Sequence, residues 1–200
     1  WMELAETRYQ PDDREKGKMP TTFYQKSVEQ GMVREIHPLN DYLDNIIQVI
    51  DMEAIRRGDL RVAVDPMYGV WLTPLNTILS MARCTIETIN AQHDTLFGGK
   101  MPAPTAQTLR GLQNYVLDRY CDIGIATDGD ADRLGVGDDK GRYLHPNEIL
   151  VALYYYLLEY KGWRGDAVRN ISTTHVLDRV AESFGQKCHE VPVGFKYISA

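Results

Sequence analysis

Between residues 60 and 127 the chain alternates short β-rich runs with stripes of helical period, and this alternation restricts its possible folds more than any other feature. Leu60-Arg61-Val62-Ala63-Val64-Asp65 reads as a strand closed by Pro66 and Gly69. Thr73-Pro74 predicts an N-cap followed by proline at the first helical position, leading into Leu75, Ile78, Leu79 and Ala82. Residues 84–89 form a second strand and 91–104 a loop; 105–118 then predict a helix and 122–127 a third strand. This β-α-β-α-β order predicts an α/β fold with mixed, largely parallel sheets and flanking helices. Upstream, Leu43, Ile46, Ile47 and Ile50 predict one amphipathic helix, capped by Asn40 and ended by Gly58. Downstream, a helix capped by Asn147 and closed by Gly162 precedes a strand at 167–172. A helix carrying Val176, Leu177, Val180, Ala181 and Phe184, ended by Gly185, and a strand at 189–193 complete the pattern. The expected division is a tail or linker from a preceding domain (1–38), one complete α/β domain (39–143), and the start of a second (144–200).

Composition closes off several function classes. With 44% hydrophobic and 25% charged residues, the chain has the balance of a globular protein and not of a disordered or collagen-like one. The 22 Lys and Arg are outnumbered by 28 Asp and Glu, for a net charge of -6, and the basic residues are scattered; a nucleic-acid surface is not expected. The longest apolar run, residues 149–158, is about half the ~20 residues that cross a bilayer, so no membrane partner is expected. Cys84, Cys121 and Cys188 are far apart and form no CxxC pair, which fits a reduced, cytoplasmic location. The start at Trp1-Met2 resembles neither a signal peptide nor a translation start, so a piece of a longer protein is expected.

The sharpest local feature is Thr127-Asp128-Gly129-Asp130-Ala131-Asp132-Arg133. Carboxylates at alternate positions, with small residues between them, allow the backbone to curl so that Asp128, Asp130 and Asp132 converge. Convergent anions repel, and a hard divalent cation with oxygen ligands relieves that repulsion. Arg133 alongside can grip a phosphate bidentately. A solvated acidic turn is the plain alternative. An EF-hand is excluded: its sixth and twelfth positions want Gly and Glu, where this chain has Arg133 and Asp139.

This loop resembles the metal-binding loop of the α-D-phosphohexomutases, the phosphoglucomutase and phosphomannomutase superfamily. Further segments agree in order: Val64-Asp65-Pro66-Met67-Tyr68-Gly69 resembles the first strand and turn of the family's second domain. Phe97-Gly98-Gly99 with Pro102-Ala103-Pro104 resembles its FGG…P-x-P loop, and Val191-Pro192-Val193-Gly194-Phe195-Lys196-Tyr197 the sugar-side loop of its third. The resemblance covers residues 39–200. It implies Mg2+ held by Asp128, Asp130 and Asp132 together with a phosphoserine oxygen. It also implies a catalytic contact from Arg133 to the phosphoserine or substrate, and a sugar face lined by Gly194, Phe195 and Lys196. The implied reaction interconverts hexose 1-phosphate and 6-phosphate through a phosphoserine and a bisphosphate. The implied partners are the hexose phosphate and the other domains of the parent chain.

The departures are specific. The family's Ser-His-Asn nucleophile segment has no counterpart, so this stretch alone is expected to be inactive; a non-catalytic α/β module binding a divalent ion or a sugar phosphate is the second reading. Glu182-Ser183 looks like the family's sugar-selecting loop but precedes the Gly-Phe-Lys segment instead of following it, and reads as a helix end. The lesser alternative for Lys196 is an exposed helix-start residue. None of the five histidines has metal-ligand spacing, and His175 reads as a cap-region residue. Tyr154-Tyr155-Tyr156 is expected to pack in a core or between domains.

Overall fold

The computed structural model describes residues 24–199. Residues up to Tyr42 form one unit and those from Leu43 onward another. The first unit contributes α1 (Tyr24–Glu29) and the first residues of α2 (Leu39–Val49). The helix expected to run on to Gly58 is two: α2 stops at Val49 and α3 (Met52–Arg57) begins afresh. Asp51 is the cause. Its side chain accepts the Ala54 N–H at 2.9 Å, an N-cap that starts a helix where a stripe alone would continue one. Asn40 lies inside α2 and caps nothing there.

The main sheet has the order β2-β1-β3-β4-β5: β1 (Arg61–Asp65), β2 (Thr85–Thr88), β3 (Ile123–Thr127), β4 (Leu134–Asp138) and β5 (Tyr143–Leu144). β1 pairs in parallel with β2 and β3, whereas β3-β4 and β4-β5 are antiparallel. The sheet is therefore mixed, its parallel part confined to three strands. The β3-β4 hairpin is absent from the sequence pattern described above. Its register sets Thr127 opposite Leu134, so Asp128 to Arg133 are the hairpin connection.

Both faces of β1 are covered, as a central strand requires. Val62 and Val64 pack with Leu79 and Leu75 of α4 (Leu72–Met81), while Ala63 packs with Leu112 and Val116 of α5 (Arg110–Asp118). Two helix starts differ from expectation. α4 begins at Leu72, so Thr73 and Pro74 lie within its first turn, where proline forfeits no helical bond. α5 begins at Arg110 because Thr105 and Thr108 hydrogen-bond each other, at 2.9 and 3.3 Å through their N–H groups, and hold residues 106–109 as a turn.

The second sheet pairs β6 (Ala167–Asn170) with β7 (Cys188–Val191) in parallel through α7 (Val176–Ser183). α6 (Pro146–Glu159) precedes it. His145, and not Asn147, caps this helix in a box: its Nδ1 accepts Asn147 N–H, and Glu148 accepts its N–H at 2.8 Å. Phe184 ends α7 and Gly185, at φ +70°, follows it, as expected of a helix end. Tyr155 and Tyr156 are exposed and Tyr154 half-buried, so the tyrosine run is not core. Tyr155 instead meets Tyr160 and Phe184 edge to face, and the Tyr154 hydroxyl donates to Gly165 O. No helix of the described residues is long and apolar enough to cross a membrane.

Candidate functional site

Ligands of open α/β sheets bind beyond the carboxyl ends of the strands, where successive connections leave to opposite sides. Here that crevice lies between β1 and β3, because β1 leads on to β2 on one side and β3 to β4 on the other. The aspartate loop grows from the end of β3. Ala131 N–H closes a turn on Asp128 O at 3.2 Å, with Ala131 itself at φ +63°. Carboxylate oxygens of Asp128, Asp130 and Asp132 then come within 4.8 Å of one another. Asp128 is 1% exposed; the other two face solvent.

Asp128 is held from both oxygens by one residue: Arg133 donates its backbone N–H to Oδ1 at 3.1 Å and its Nε–H to Oδ2 at 2.6 Å. Burial pushes the Asp128 carboxyl up, but these two bonds, the contact with Asp132 and the charge of Arg133 together leave it below the ordinary carboxylate value. Asp132 goes the other way: its close approach to Asp128, then the charge of Asp130, holds its carboxyl above the ordinary value. The hydrogen bond to Asp128 raises the Arg133 guanidinium in turn. Uncompensated negative charge thus remains on oxygen donors with two of their three side chains open to water. Such a donor set suits a hard cation that keeps several waters.

The turn after β1 supports this loop. Gly69 approaches so closely that a Cβ there would lie 2.5 Å from Gly129 O and 2.8 Å from Asp128 O, and Val70 N–H donates to Gly129 O at 3.2 Å. The turn is in turn anchored by Asp65, 3% exposed, whose carboxylate accepts both Met67 N–H at 2.8 Å and Asn90 Nδ2 at 3.1 and 3.0 Å. Burial raises the Asp65 carboxyl despite these bonds. Met67, Tyr68, Asn90, Phe97 and Ala131, all non-glycine residues at positive φ, lie in the loops around this crevice. Strain of this kind gathers where a site is over-determined by its surroundings. Sequence reasoning missed Asp65 and Asn90 as supports, although an aspartate ending an apolar strand before Pro and Gly was a visible signal.

The structure brings Asp128, Asp130, Asp132 and Arg133 together; Gly194, Phe195 and Lys196 follow β7 of the second sheet. Gly194, at φ +137°, precedes the one-turn helix α8 (Phe195–Ile198). Phe195 is 80% exposed, and Lys196 Nζ lies 4.9 Å above the Tyr197 ring. Among the described residues no hydrogen bond or ion pair joins this segment to the aspartate loop. The histidines take no part in the cluster; His175 faces Arg169 and Asp178, and His189 pairs with Asp166 at 2.9 Å. All three cysteines are free.

Residues 40–141 match the family model for phosphoglucomutase/phosphomannomutase α/β/α domain II, and residues 145–200 that for domain III. A phosphoglucomutase/phosphomannomutase of Thermococcus kodakarensis is 30% identical over 166 residues, covering 83% of this chain and 36% of the relative. A phosphopentomutase of the same organism is 28% identical over 162 residues, covering 81% and 35%. Among solved structures, a Thermus thermophilus protein described as a candidate phosphomannomutase superposes with a TM-score of 0.73 at 30% identity, over 80% of this chain and 37% of that one. The chain spans about a third of the length of these relatives. Its sheet, its aspartate loop and these matches agree, and the chain belongs to the phosphoglucomutase/phosphomannomutase family, over domains II and III.

Proposed function

We propose that this chain supplies the metal-holding part of a Mg2+-dependent phosphohexomutase, which interconverts hexose 1-phosphate and 6-phosphate through a phosphoserine and a bisphosphate. The observation that carries the reading is the convergence of three carboxylates within 4.8 Å at the switch point of the sheet, one of them buried and pre-oriented. Asp128, Asp130 and Asp132 would hold the ion, which when bound would offset the negative charge of the transferring phosphoryl group. The Arg133 side chain engages Asp128 through Nε alone; its terminal nitrogens make no hydrogen bond among the described residues and suit phosphate oxygens. Lys196, with no carboxylate partner among the described residues, offers its ammonium to a sugar phosphate or hydroxyl. The nucleophilic serine would come from the parent chain, since no Ser-His-Asn segment occurs here. That one relative is a phosphopentomutase leaves the sugar to be decided by experiment.

Two measurements test the reading. Mn2+ titration of this chain and its Asp130→Asn variant should show at least a roughly ten-fold loss of affinity in the variant. Unchanged affinity rules the loop out as the metal site. This chain alone should turn over no hexose phosphate, whereas a full-length parent should, and should lose that activity on Asp128→Ala. A metal-binding parent that is inactive on glucose, mannose and glucosamine phosphates would favour a non-catalytic binding module.

A further inference from the structure

We infer that Phe97 is a positioning residue for the aspartate loop, its ring fixing the Gly129 peptide and through it the separation of Asp128 from Asp130. The inference rests on the metal-holding reading of that loop. It begins with how firmly Phe97 is itself placed. The Asp94 carboxylate accepts Leu96 N–H at 2.9 Å and Gly98 N–H at 3.0 Å, and Asp94 O accepts Phe97 N–H at 3.0 Å. These bonds keep the Phe97 backbone at φ +52°, a conformation that an aromatic residue adopts only under constraint. The constraint delivers the ring onto the metal loop. A Cβ placed on Gly129 would stand 2.9 Å from Phe97 Cε1 and 3.3 Å from Cζ, so the ring lies directly over that backbone.

Gly129 is also touched from the turn after β1, through Gly69 and the Val70 N–H. The peptide between the first two carboxylates is therefore bounded by two loops, and neither supplies an oxygen donor to the cluster. The division of labour is mechanical: the aspartates supply oxygen donors, and Phe97 with Gly69 prevents the intervening backbone from yielding to their repulsion. A donor set whose oxygens must meet one ion loses affinity when its supporting groups are loosened, typically by ten- to a hundred-fold.

Gly129 is not among the glycines at positive φ, and the atoms nearest to an alanine methyl there all belong to the Phe97 ring. This gives a clean cycle of Phe97→Leu, Gly129→Ala and the double variant, read by Mn2+ affinity, by amide hydrogen exchange at residues 129–132 in chelator, and by melting temperature in chelator. Each single variant should weaken Mn2+ binding about ten-fold and speed loop exchange, with melting temperatures within about 3 °C of the parent. The double variant should lose less than the product of the two, because the smaller side chain makes room for the added methyl group. Unchanged exchange and affinity in Phe97→Leu, or losses that multiply without coupling, would overturn the inference. A fall in Mn2+ affinity only in step with the melting temperature would overturn it too, by reducing Phe97 to core packing. If the parent binds no Mn2+ while loop exchange still shows the coupling, the metal reading falls and the positioning of the loop stands.

Discussion

Each sheet carries an aspartate–arginine pair, and the two are built inside out relative to one another. At the aspartate loop the acid is buried and the base exposed: the Asp128 side chain is 1% exposed and that of Arg133 61%. In the second sheet Arg169 is 4% exposed and Asp178 27%. Arg169 is surrounded by acceptors. Asp178 takes its Nε at 3.0 Å and Nη2 at 2.9 Å, Glu190 its Nη1 at 2.7 Å, and His175 lies 2.7 Å from Nη2. Among the described residues Asp128 has one cation, Arg133, five residues on, with two more carboxylates beside it. A buried cation with several fixed acceptors is a rivet between β6, β7 and α7. A buried anion whose cation is exposed can change partners without unfolding anything. The difference accords with the role proposed above for the first pair and makes the second framework.

The largest effect should come from breaking the rivet. Arg169→Met leaves Asp178 and Glu190 facing each other without their cation and should lower the melting temperature by on the order of 10 °C. Arg133→Met leaves Asp128 its backbone N–H bond but no cation, and should lower it by less, about 5 °C, with added Mn2+ restoring most of the loss. It should also leave Mn2+ affinity at least as high, since a competing cation is gone. Equal losses in the two variants, measured by calorimetry, would break the comparison.

Next in size is Gly69→Ala. Its Cβ would press on backbone atoms of residues 128 and 129, which cannot swing aside as a side chain would. Overpacking of that kind costs about 2 kcal/mol, and denaturant unfolding in chelator would read it. Gly165→Ala, in the segment between α6 and β6 with nothing within 4 Å of the added methyl, should stay within about 0.5 kcal/mol. A neutral Gly69→Ala would mean that the metal loop is not seated on the turn after β1.

These contrasts show what the sequence displayed and what it hid. The parallel βαβ core was legible because Val62, Val64, Ile123 and Ile125 sit in short β-branched runs between helical stripes. The aspartate loop was legible because its chemistry is contiguous in the chain. The β4 strand was not: Leu134-Gly135-Val136-Gly137 alternates, but its glycines weaken a strand signal that tertiary packing then restores. Cap chemistry defeated the helix boundaries, since Asp51 and His145 act through side-chain bonds that periodicity does not register. The supports of the site, Asp65 with Asn90 and Phe97 over Gly129, join residues 25 and more apart, and only the fold brings them together.

A pH series sharpens the contrast further. Hydrogen bonding to Arg169, then to Cys188, holds the Asp178 carboxyl well below the ordinary value. A depressed folded value means that the ionised group stabilises the fold above its unfolded value, about pH 4, and that this contribution fades as pH falls through the folded value. Asp178→Asn should therefore be less stable than the parent at pH 7, and the gap should narrow below pH 4. Other depressed carboxylates, Asp51 and Asp138 among them, are common to both proteins and cancel in the difference. A gap that stays constant down to pH 2 would show that Asp178 acts through its shape and not its charge.

The smallest effect, and the one that most directly separates function from stability, is Asp132→Asn. Its side chain is 71% exposed, and its one cation contact among the described residues, Arg133 Nε at 3.4 Å, belongs more closely to Asp128. Asp128 and Asp130 both disfavour its charge, so the amide removes repulsion that the folded chain otherwise carries. In chelator the unfolding midpoint should be unchanged or slightly raised, while Mn2+ affinity falls because one oxygen donor has lost its charge. The same substitution at Asp178 should cost stability, because that carboxylate neutralises a buried guanidinium. If Asp132→Asn destabilised the chain markedly in chelator, the loop would owe its shape to that carboxylate, and the aspartates would be framework like the Arg169 cluster and not a site held ready for an ion.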